Sequence, residues 1–328
     1  MTALDKALCA PKNLSADEMS ALLASDDGTL WADAFAAARE VKAKCGKAEV
    51  LPRGLIECSN VCAKDCLYCG IRKGNAQVPR YRMSEDEVAS CIDEARRRGY
   101  PAVAFQAGEI ESEANTAYYE RLLAKCRGLE VTLSLGEQTE AVYRRWKDAG
   151  AMRYLIRIET SNRELYARIH PADCSFDRRL GCIRTLKKLG YVTGSGVMIG
   201  LPGQTIRDLA NDIVFYGDEN LDMVGMGPYV PNGDTPLGTQ VEVEGGQWNG
   251  NVPLSTSTLD LALRMIALTR LYLWNVNIVA ATALSALDSA HGRDRGIAAG
   301  ANVIMPNLTP PRHRCGYSLY PGKSEAVS

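Results

Sequence analysis

Short apolar runs alternate with amphipathic helical stretches along nearly the whole chain, and this alternation limits the available folds more than anything else in it. The runs are Leu51–Cys58, Ala102–Gln106, Val131–Leu135, Arg153–Ile158, Val192–Ile199, Met223–Met226, Asn277–Ala280 and Val303–Met305. Between them lie helical patterns: one opened by the capping box Ser84-Glu-Asp-Glu87 and running to Arg98, then Thr116–Arg127, one through Tyr143 and Trp146, Arg178–Leu189, Thr205–Gly217 and Thr258–Leu273. Strands covered on both faces read as continuous apolar runs, and strand–helix alternation implies a parallel sheet. Eight repeats predict a closed (β/α)8 barrel of the TIM type, with a six-strand partial barrel as the alternative. Ahead of it, Ala16–Leu23, capped by Ser15, and Leu30–Lys44 read as two helices. The expected division is therefore an N-terminal helical segment, residues 1–48, and a barrel over residues 49–328.

Composition agrees with one large core. Hydrophobic residues make up 46% of the 328 and charged residues 23%, ordinary globular material. A net charge of −1 supplies no field to draw nucleic acid or an anionic membrane. Arg96-Arg97-Arg98 sits where cations meet the negative end of a helix, just before Gly99, and reads as a solvated last turn. No apolar run reaches the ~20 residues of a membrane-spanning helix. Eleven cysteines without a targeting sequence point to a reducing cytoplasm.

Three of those cysteines are spaced as ligands. Cys62, Cys66 and Cys69, in the pattern C-x3-C-x2-C, follow the first strand on one short loop, with the aromatic Tyr68 just before the third. A structural zinc would want four ligands, and no second pair with metal spacing follows, since Cys58, Cys91, Cys126, Cys174, Cys182 and Cys315 are scattered singly. A disulfide framework suits small secreted chains. Three thiolates can hold three irons of a [4Fe–4S] cube, whose full set would be four cysteines, and leave one iron free to bind a small molecule. A single cluster per chain is expected, because Cys315 is alone near the C-terminus.

Chemistry in such barrels collects at the carboxyl ends of the strands, and the polar residues here lie there. After strand two come Gln106, Gly108 and Glu109, where a glycine allows close backbone approach and a carboxylate can accept from an ammonium group. Strand three carries Thr132 and Ser134. Strand four ends in Arg157 and Glu159, a charged pair costly to bury without partners or a ligand, or else a structural ion pair on the rim. Arg179 opens the next helix, where a guanidinium can grip a carboxylate, while Arg178 reads as solvent-facing. Strand five runs into Gly196-Val-Met-Ile-Gly-Leu-Pro-Gly203, small enough to lie flat against a planar base.

Taken together these runs resemble a known family. The triplet is similar to the signature of radical S-adenosylmethionine (SAM) enzymes, Ala107-Gly-Glu109 to their motif for the methionyl amine, and the strand-five element to the one that packs on adenine. Ile56–Cys62, Cys66–Arg72, Arg80–Ser84, Val131–Glu137, Gly200–Thr205, Asp222–Pro228, Asp234–Leu237, Gly300–Asn307 and Leu319–Lys323 look like the HydE family of [FeFe]-hydrogenase maturases, with biotin synthase and the methylornithine synthase PylB as relatives. The resemblance spans roughly residues 15–323. It implies a radical SAM barrel, one [4Fe–4S] cluster on Cys62, Cys66 and Cys69, and SAM held around Tyr68, Gly108, Glu109, Ser134, Glu159, Arg179 and Ile199. It also implies a substrate cavity at Gln106, Thr132, Arg157, Met223, Thr282 and Tyr320. The implied reaction is reductive cleavage of SAM to a 5′-deoxyadenosyl radical, which attacks the sulfur of a cysteine-ligated Fe(CO)2(CN) complex. HydG would supply that complex, HydF would act downstream, and a ferredoxin or flavodoxin would supply electrons under anaerobic conditions.

The chain departs from the family at Ile110, Ile158, Ala281 and His313, and it carries a glycine-rich insert, residues 239–257, containing Trp248. Altered pocket residues leave open a HydE-like paralogue acting on another small thiol or amino acid. A cluster carrier without catalysis is the third reading. Glu109, Glu159 and Arg179 speak against it, because a carrier needs no grip on SAM.

Overall fold

The computed structural model describes residues 14–243 and 257–323. Eight parallel strands line up in the order β10-β1-β2-β3-β4-β5-β7-β9, where β1 is Leu51–Ser59, β2 Ala102–Ala107, β3 Glu130–Ser134, β4 Arg153–Leu155, β5 Val192–Ser195, β7 Met223–Val224, β9 Asn277–Ile278 and β10 Val303–Ile304. The seam between β9 and β10 is closed by the Asn302 N–H donating to the Ile278 carbonyl and the Ala280 N–H to the Val303 carbonyl, each at 2.9 Å. The barrel is thus eight-stranded, and the six-strand alternative falls.

Local chemistry places the helices. Ser15 and Glu18 form a capping box on α1, Ala16–Leu23, and Ser84 and Glu87 form another on α3, Glu85–Arg97, whose chain turns away at Gly99 with φ +70°. Asp27 caps α2, Gly28–Lys44. The next helix, α4, spans Glu113–Lys125 rather than Thr116–Arg127, because the Ser112 hydroxyl accepts the Asn115 N–H and starts the helix a turn earlier. Thereafter α5 is Glu140–Asp148, α6 Arg163–Ile169, α7 Phe176–Lys188, α8 Ile206–Asp218, α9 Pro236–Val243, α10 Thr258–Tyr272, α11 Thr282–Leu287, α12 Gly292–Ala298 and α13 Pro311–Arg314. Helices α6, α11, α12 and α13 are too short to carry a periodic signal. Most of the insert, Trp248 included, lies outside the described residues. Met19, Leu23, Trp31 and Ala38 of α1 and α2 share one apolar core with the barrel.

Two strands differ from expectation in a way that shapes the site. Strand four stops pairing regularly after Leu155: the Ile158 N–H donates to the Ser195 hydroxyl at 3.0 Å rather than to a backbone carbonyl, and Glu159 turns into the left-handed region, φ +66°. Beyond β5 and β7 the short pair β6 (Met198–Ile199) and β8 (Gly227–Pro228) continues toward the carboxyl end. At the junction a Cβ on Gly196 would sit 2.0 Å from the Gly225 carbonyl oxygen, so only glycine lets the strands approach so closely. Residues 306–323 then return over the mouth. The Gly70 N–H donates to the Leu319 carbonyl at 3.0 Å, and a Cβ on Gly70 would stand 1.9 Å from the Ser318 carbonyl oxygen.

Candidate active site

Under this C-terminal strap a cavity of about 320 Å3 opens at the carboxyl ends of the strands. It is lined by Cys62, Cys66, Tyr68, Cys69, Gln106, Gly108, Glu109, Thr132, Ser134, Arg157, Glu159, Arg179, Met223, Thr282 and Tyr320, which are the sequence-derived positions with one exception. The exception is Ile199. Its side chain is fully buried in the core, and Met198 faces the cavity instead, because the side chains of β6 alternate.

The three loop cysteines are free thiols around one space. The Glu109 N–H donates to Cys62 Sγ at 3.3 Å. Burial pushes the Cys62 thiol up, against the backbone N–H groups of Lys64 and Glu109, and pushes Cys69 up to about 12 against that of Ile71. The Cys66 thiol is raised first by its hydrogen bond with Cys174 and then by burial. Bound metal holds the sulfurs as thiolates, and the backbone N–H groups already aimed at Cys62 and Cys69 suit the negative sulfur. Among the described residues no three Cys, His, Asp or Glu side chains close on the position of a single ion. A cube takes each cysteine on a separate iron, so three thiols spread around a cavity fit it better than they fit zinc. Cys58 points away, fully buried in the core.

Beside the triplet sits a buried charge network. Gly108 must be glycine: a Cβ would lie 2.3 Å from the Val61 carbonyl oxygen and 2.7 Å from Cys62 Cβ. Next to it the Glu109 carboxylate rests against Gly136, where a Cβ would meet its Oε2 at 2.2 Å. Burial raises the Glu109 pKa although the Arg179 guanidinium, 3.7 Å away, works against the rise. The Lys64 ammonium stands 3.3 Å from Glu109 Oε1, yet that oxygen has no hydrogen bond. Arg179 donates to Glu137 Oε1 at 2.7 Å and to the Arg157 carbonyl at 2.8 Å. Burial opposes its charge, but Tyr166, Glu137 and Glu109 together hold its pKa well above the ordinary value. Glu137 and Lys64 were not singled out from sequence. The signal for Glu137 was present, since Gly136-Glu137 after strand three repeats Gly108-Glu109 after strand two.

Arg157 and Glu159, expected to serve two neighbouring ligands, are paired with each other. Arg157 Nη2 stands 2.8 Å from Glu159 Oε2 and donates to the Val197 carbonyl at 2.9 Å. Tyr68 is held from behind by His170, whose Nε2 lies 3.1 Å from the phenol oxygen while Nδ1 lies 2.9 Å from the Tyr166 carbonyl. Burial lowers the His170 pKa to about 3, so the ring is neutral: Nδ1–H donates to Tyr166 and Nε2 accepts from Tyr68. His170 gave no sequence signal. Of the four departures from the family, Ile110, Ile158 and His313 lie off the cavity; Ile158 is packed in the core and His313 stacks on Tyr81 beside Glu87. Only Ala281 lines it.

Comparison with known proteins agrees with this geometry. Residues 56–215 match the radical SAM superfamily. The chain is 43% identical over 295 residues to the [FeFe] hydrogenase maturase subunit HydE of Thermotoga maritima, covering 88% of this chain and 79% of that one. The chain belongs to the HydE family of radical SAM enzymes. It is therefore a SAM-cleaving iron–sulfur enzyme that uses a [4Fe–4S] cluster and SAM. Among more distant relatives, 3-methylornithine synthase of Methanosarcina acetivorans is 25% identical over 90% of this chain and 80% of its own. In structure, methylornithine synthase PylB superposes with a TM-score of 0.78 over 92% of this chain and 85% of its own, at 22% identity. The maturase HydG of Carboxydothermus hydrogenoformans reaches 0.75 over 94% and 70%, at 19% identity. At these identities PylB and HydG share the fold. Among the described residues no helix is long and apolar enough to cross a membrane.

Proposed function

We propose that this HydE-family enzyme acts in [FeFe]-hydrogenase maturation on an Fe(CO)2(CN) complex carrying cysteine. Its cluster is held by Cys62, Cys66 and Cys69, and SAM by Tyr68, Gly108, Glu109, Ser134, Glu159 and Arg179. When bound, the cluster would supply one electron to cleave SAM to methionine and a 5′-deoxyadenosyl radical, and a bond from that radical to the cysteine-derived sulfur would leave one electron on the iron of the complex, taking it to Fe(I). The chain's own part is placement. Glu109 offers an under-bonded, buried carboxylate oxygen to the methionyl ammonium. Arg179 is fixed between Glu137 and Glu109 and sets a positive charge between two carboxylates beside the cavity. Gln106, Thr132, Met223, Thr282 and Tyr320 line the substrate end, and Arg157 presents a guanidinium that can turn from Glu159 to a substrate carboxylate. The strap of residues 306–323 keeps bulk water from the mouth.

The observation that carries this reading is where the departures fall. Three of the four lie off the cavity wall, and Ala281 is the one that lines it. That one change favours, as a second reading, a paralogue working on a different small thiol or amino acid. The test is anaerobic turnover of the reconstituted enzyme with SAM and the complex released by HydG. Faster 5′-deoxyadenosine formation with the complex than with free cysteine supports maturation; faster formation with a simple thiol or amino acid sinks it. HydG as supplier, HydF as acceptor and a ferredoxin or flavodoxin as reductant belong to the same proposal.

A further inference from the structure

The cysteine loop is fastened to the barrel by the far end of one remote helix. Leu165 and Ile169 of α6 belong to the apolar group on which Leu67 and Tyr68 of the loop pack. Two hydrogen bonds add direction to that contact. The Leu67 N–H donates to the Ile169 carbonyl at 3.0 Å, and the Tyr68 hydroxyl lies 3.1 Å from Nε2 of His170, the residue that ends α6. His170 is 3% exposed, stacked on Tyr166 with ring centroids 3.9 Å apart and edge-on to Tyr68 at 5.4 Å.

A buried histidine with both nitrogens paired can be no more than a satisfied core residue. What this one holds decides otherwise. Its Nδ1–H is spent on the Tyr166 carbonyl, one turn back at 2.9 Å, so Nε2 of the neutral ring is left as an acceptor for the phenol. Among the described residues that phenol has no other hydrogen-bond partner. Tyr68 stands in the two-residue stretch between Cys66 and Cys69 and lines the cavity with both. Two thiols three positions apart must each meet a separate iron, and the turn that joins them sets where each can reach. Side chains that orient metal ligands touch no metal, yet losing one typically lowers metal affinity or activity by about 10- to 100-fold.

We infer that His170 is a positioning residue for SAM cleavage: through the Tyr68 hydroxyl it fixes the turn carrying Cys66 and Cys69, and so the place where cluster and SAM meet. This role rests on the reading that Cys66 and Cys69 hold the cluster.

The experiment compares wild type with four variants. His170→Phe keeps a buried ring and removes the acceptor, and His170→Gln can restore an acceptor near the Nε2 position. Tyr68→Phe deletes the other half of the bond, and the fourth variant combines H170F with Y68F. SAM is titrated against anaerobically reconstituted protein, iron loss to a chelator is timed, and the melting temperature of the cluster-free chain is recorded. H170F and Y68F should each bind SAM about 10-fold more weakly and release iron faster than wild type. The double variant should be no worse than either single one, because both delete the same bond, and H170Q should recover most of the loss. An H170F that melts lower but binds SAM and keeps iron as wild type does overturns the inference, since the histidine is then core alone. Additive losses in the double variant overturn it as well. Should H170F not fold, Y68F and H170Q decide: wild-type behaviour of Y68F, or an H170Q as impaired as Y68F, overturns it. Cys66→Ala separates the two readings. Full iron in C66A would overturn the ligand assignment and this role with it, whereas iron lost in C66A beside a wild-type Y68F overturns the role alone.

Discussion

Glu137→Gln tests the buried charge network at its most committed member. The side chain is wholly buried and sits 2.7 Å from Arg179 Nε, 3.0 Å from Arg178 Nε and 3.8 Å from Lys64. Glutamine keeps the shape and removes the charge, leaving Arg179 to balance its own burial. Removing one member of a buried ion pair costs about 3–5 kcal/mol. Arg179 retains the Arg157 carbonyl at 2.8 Å and Glu109 at 3.7 Å, and Arg178 retains Glu111, which places the expected loss at the lower end, about 3 kcal/mol. For a chain of this length 1 kcal/mol moves the melting temperature by about 2 °C, so the variant should melt about 6 °C lower. Arg179 should also turn toward Glu109 and compete with the methionyl ammonium, weakening SAM binding. Anaerobic thermal unfolding with and without SAM reads both effects. Glu140→Gln is the control: its pairs with Arg144 and Lys188 are exposed, and such pairs contribute at most about 1 kcal/mol. A Glu137→Gln melting temperature within 1 °C of wild type, or no deeper a loss than in the control, would refute the argument that this carboxylate holds Arg179.

Three further outcomes are expected. Alanine at Cys62, Cys66 or Cys69 should abolish cluster binding and SAM cleavage, whereas Cys58→Ala, altered only in the core, should keep iron near four per chain in a direct iron assay. Arg157→Lys should keep cluster and SAM binding and uncoupled 5′-deoxyadenosine formation while losing most substrate turnover, because lysine cannot reproduce the planar fork; loss of SAM binding would move Arg157 to the cofactor side. Burial raises the Asp212 pKa to about 7, with Asp208 adding to the rise, although the Ser161 N–H and hydroxyl both donate to it at 2.6 Å. A carboxyl raised above its unfolded value of about 3.9 binds more protons folded than unfolded, so stability falls as pH rises from about 4 to about 7 and is then flat. Asp212→Asn should therefore gain melting temperature relative to wild type as pH climbs from 5 to 8; a difference that stays level with pH would show that the proton is not there.

What the sequence determined by itself is what short-range chemistry decides. Strand–helix alternation, the N-cap at Ser15, the capping box at Ser84, the Arg96–Arg98 helix end and the cysteine spacing each depend on residues a few positions apart, and the structure keeps each of them, with several strands ending earlier than expected. Placement of chemistry at strand ends followed as well, since a parallel barrel gathers those ends at one face. The tertiary structure alone decided which way side chains point once strands become irregular. The Ser195 hydroxyl, from the neighbouring strand, takes the Ile158 N–H and helps send Ile158 into the core, while Arg157 and Glu159 face the cavity. Pairing of β6 with β8 turns Ile199 into the core and Met198 toward the cavity. Distance along the chain hid the rest: His170 behind Tyr68 and Glu137 against Arg179 are neighbours only because a closed ring brings remote strand ends together. Whether a family departure alters the pocket or only the packing is settled by that same closure, and no local pattern records it.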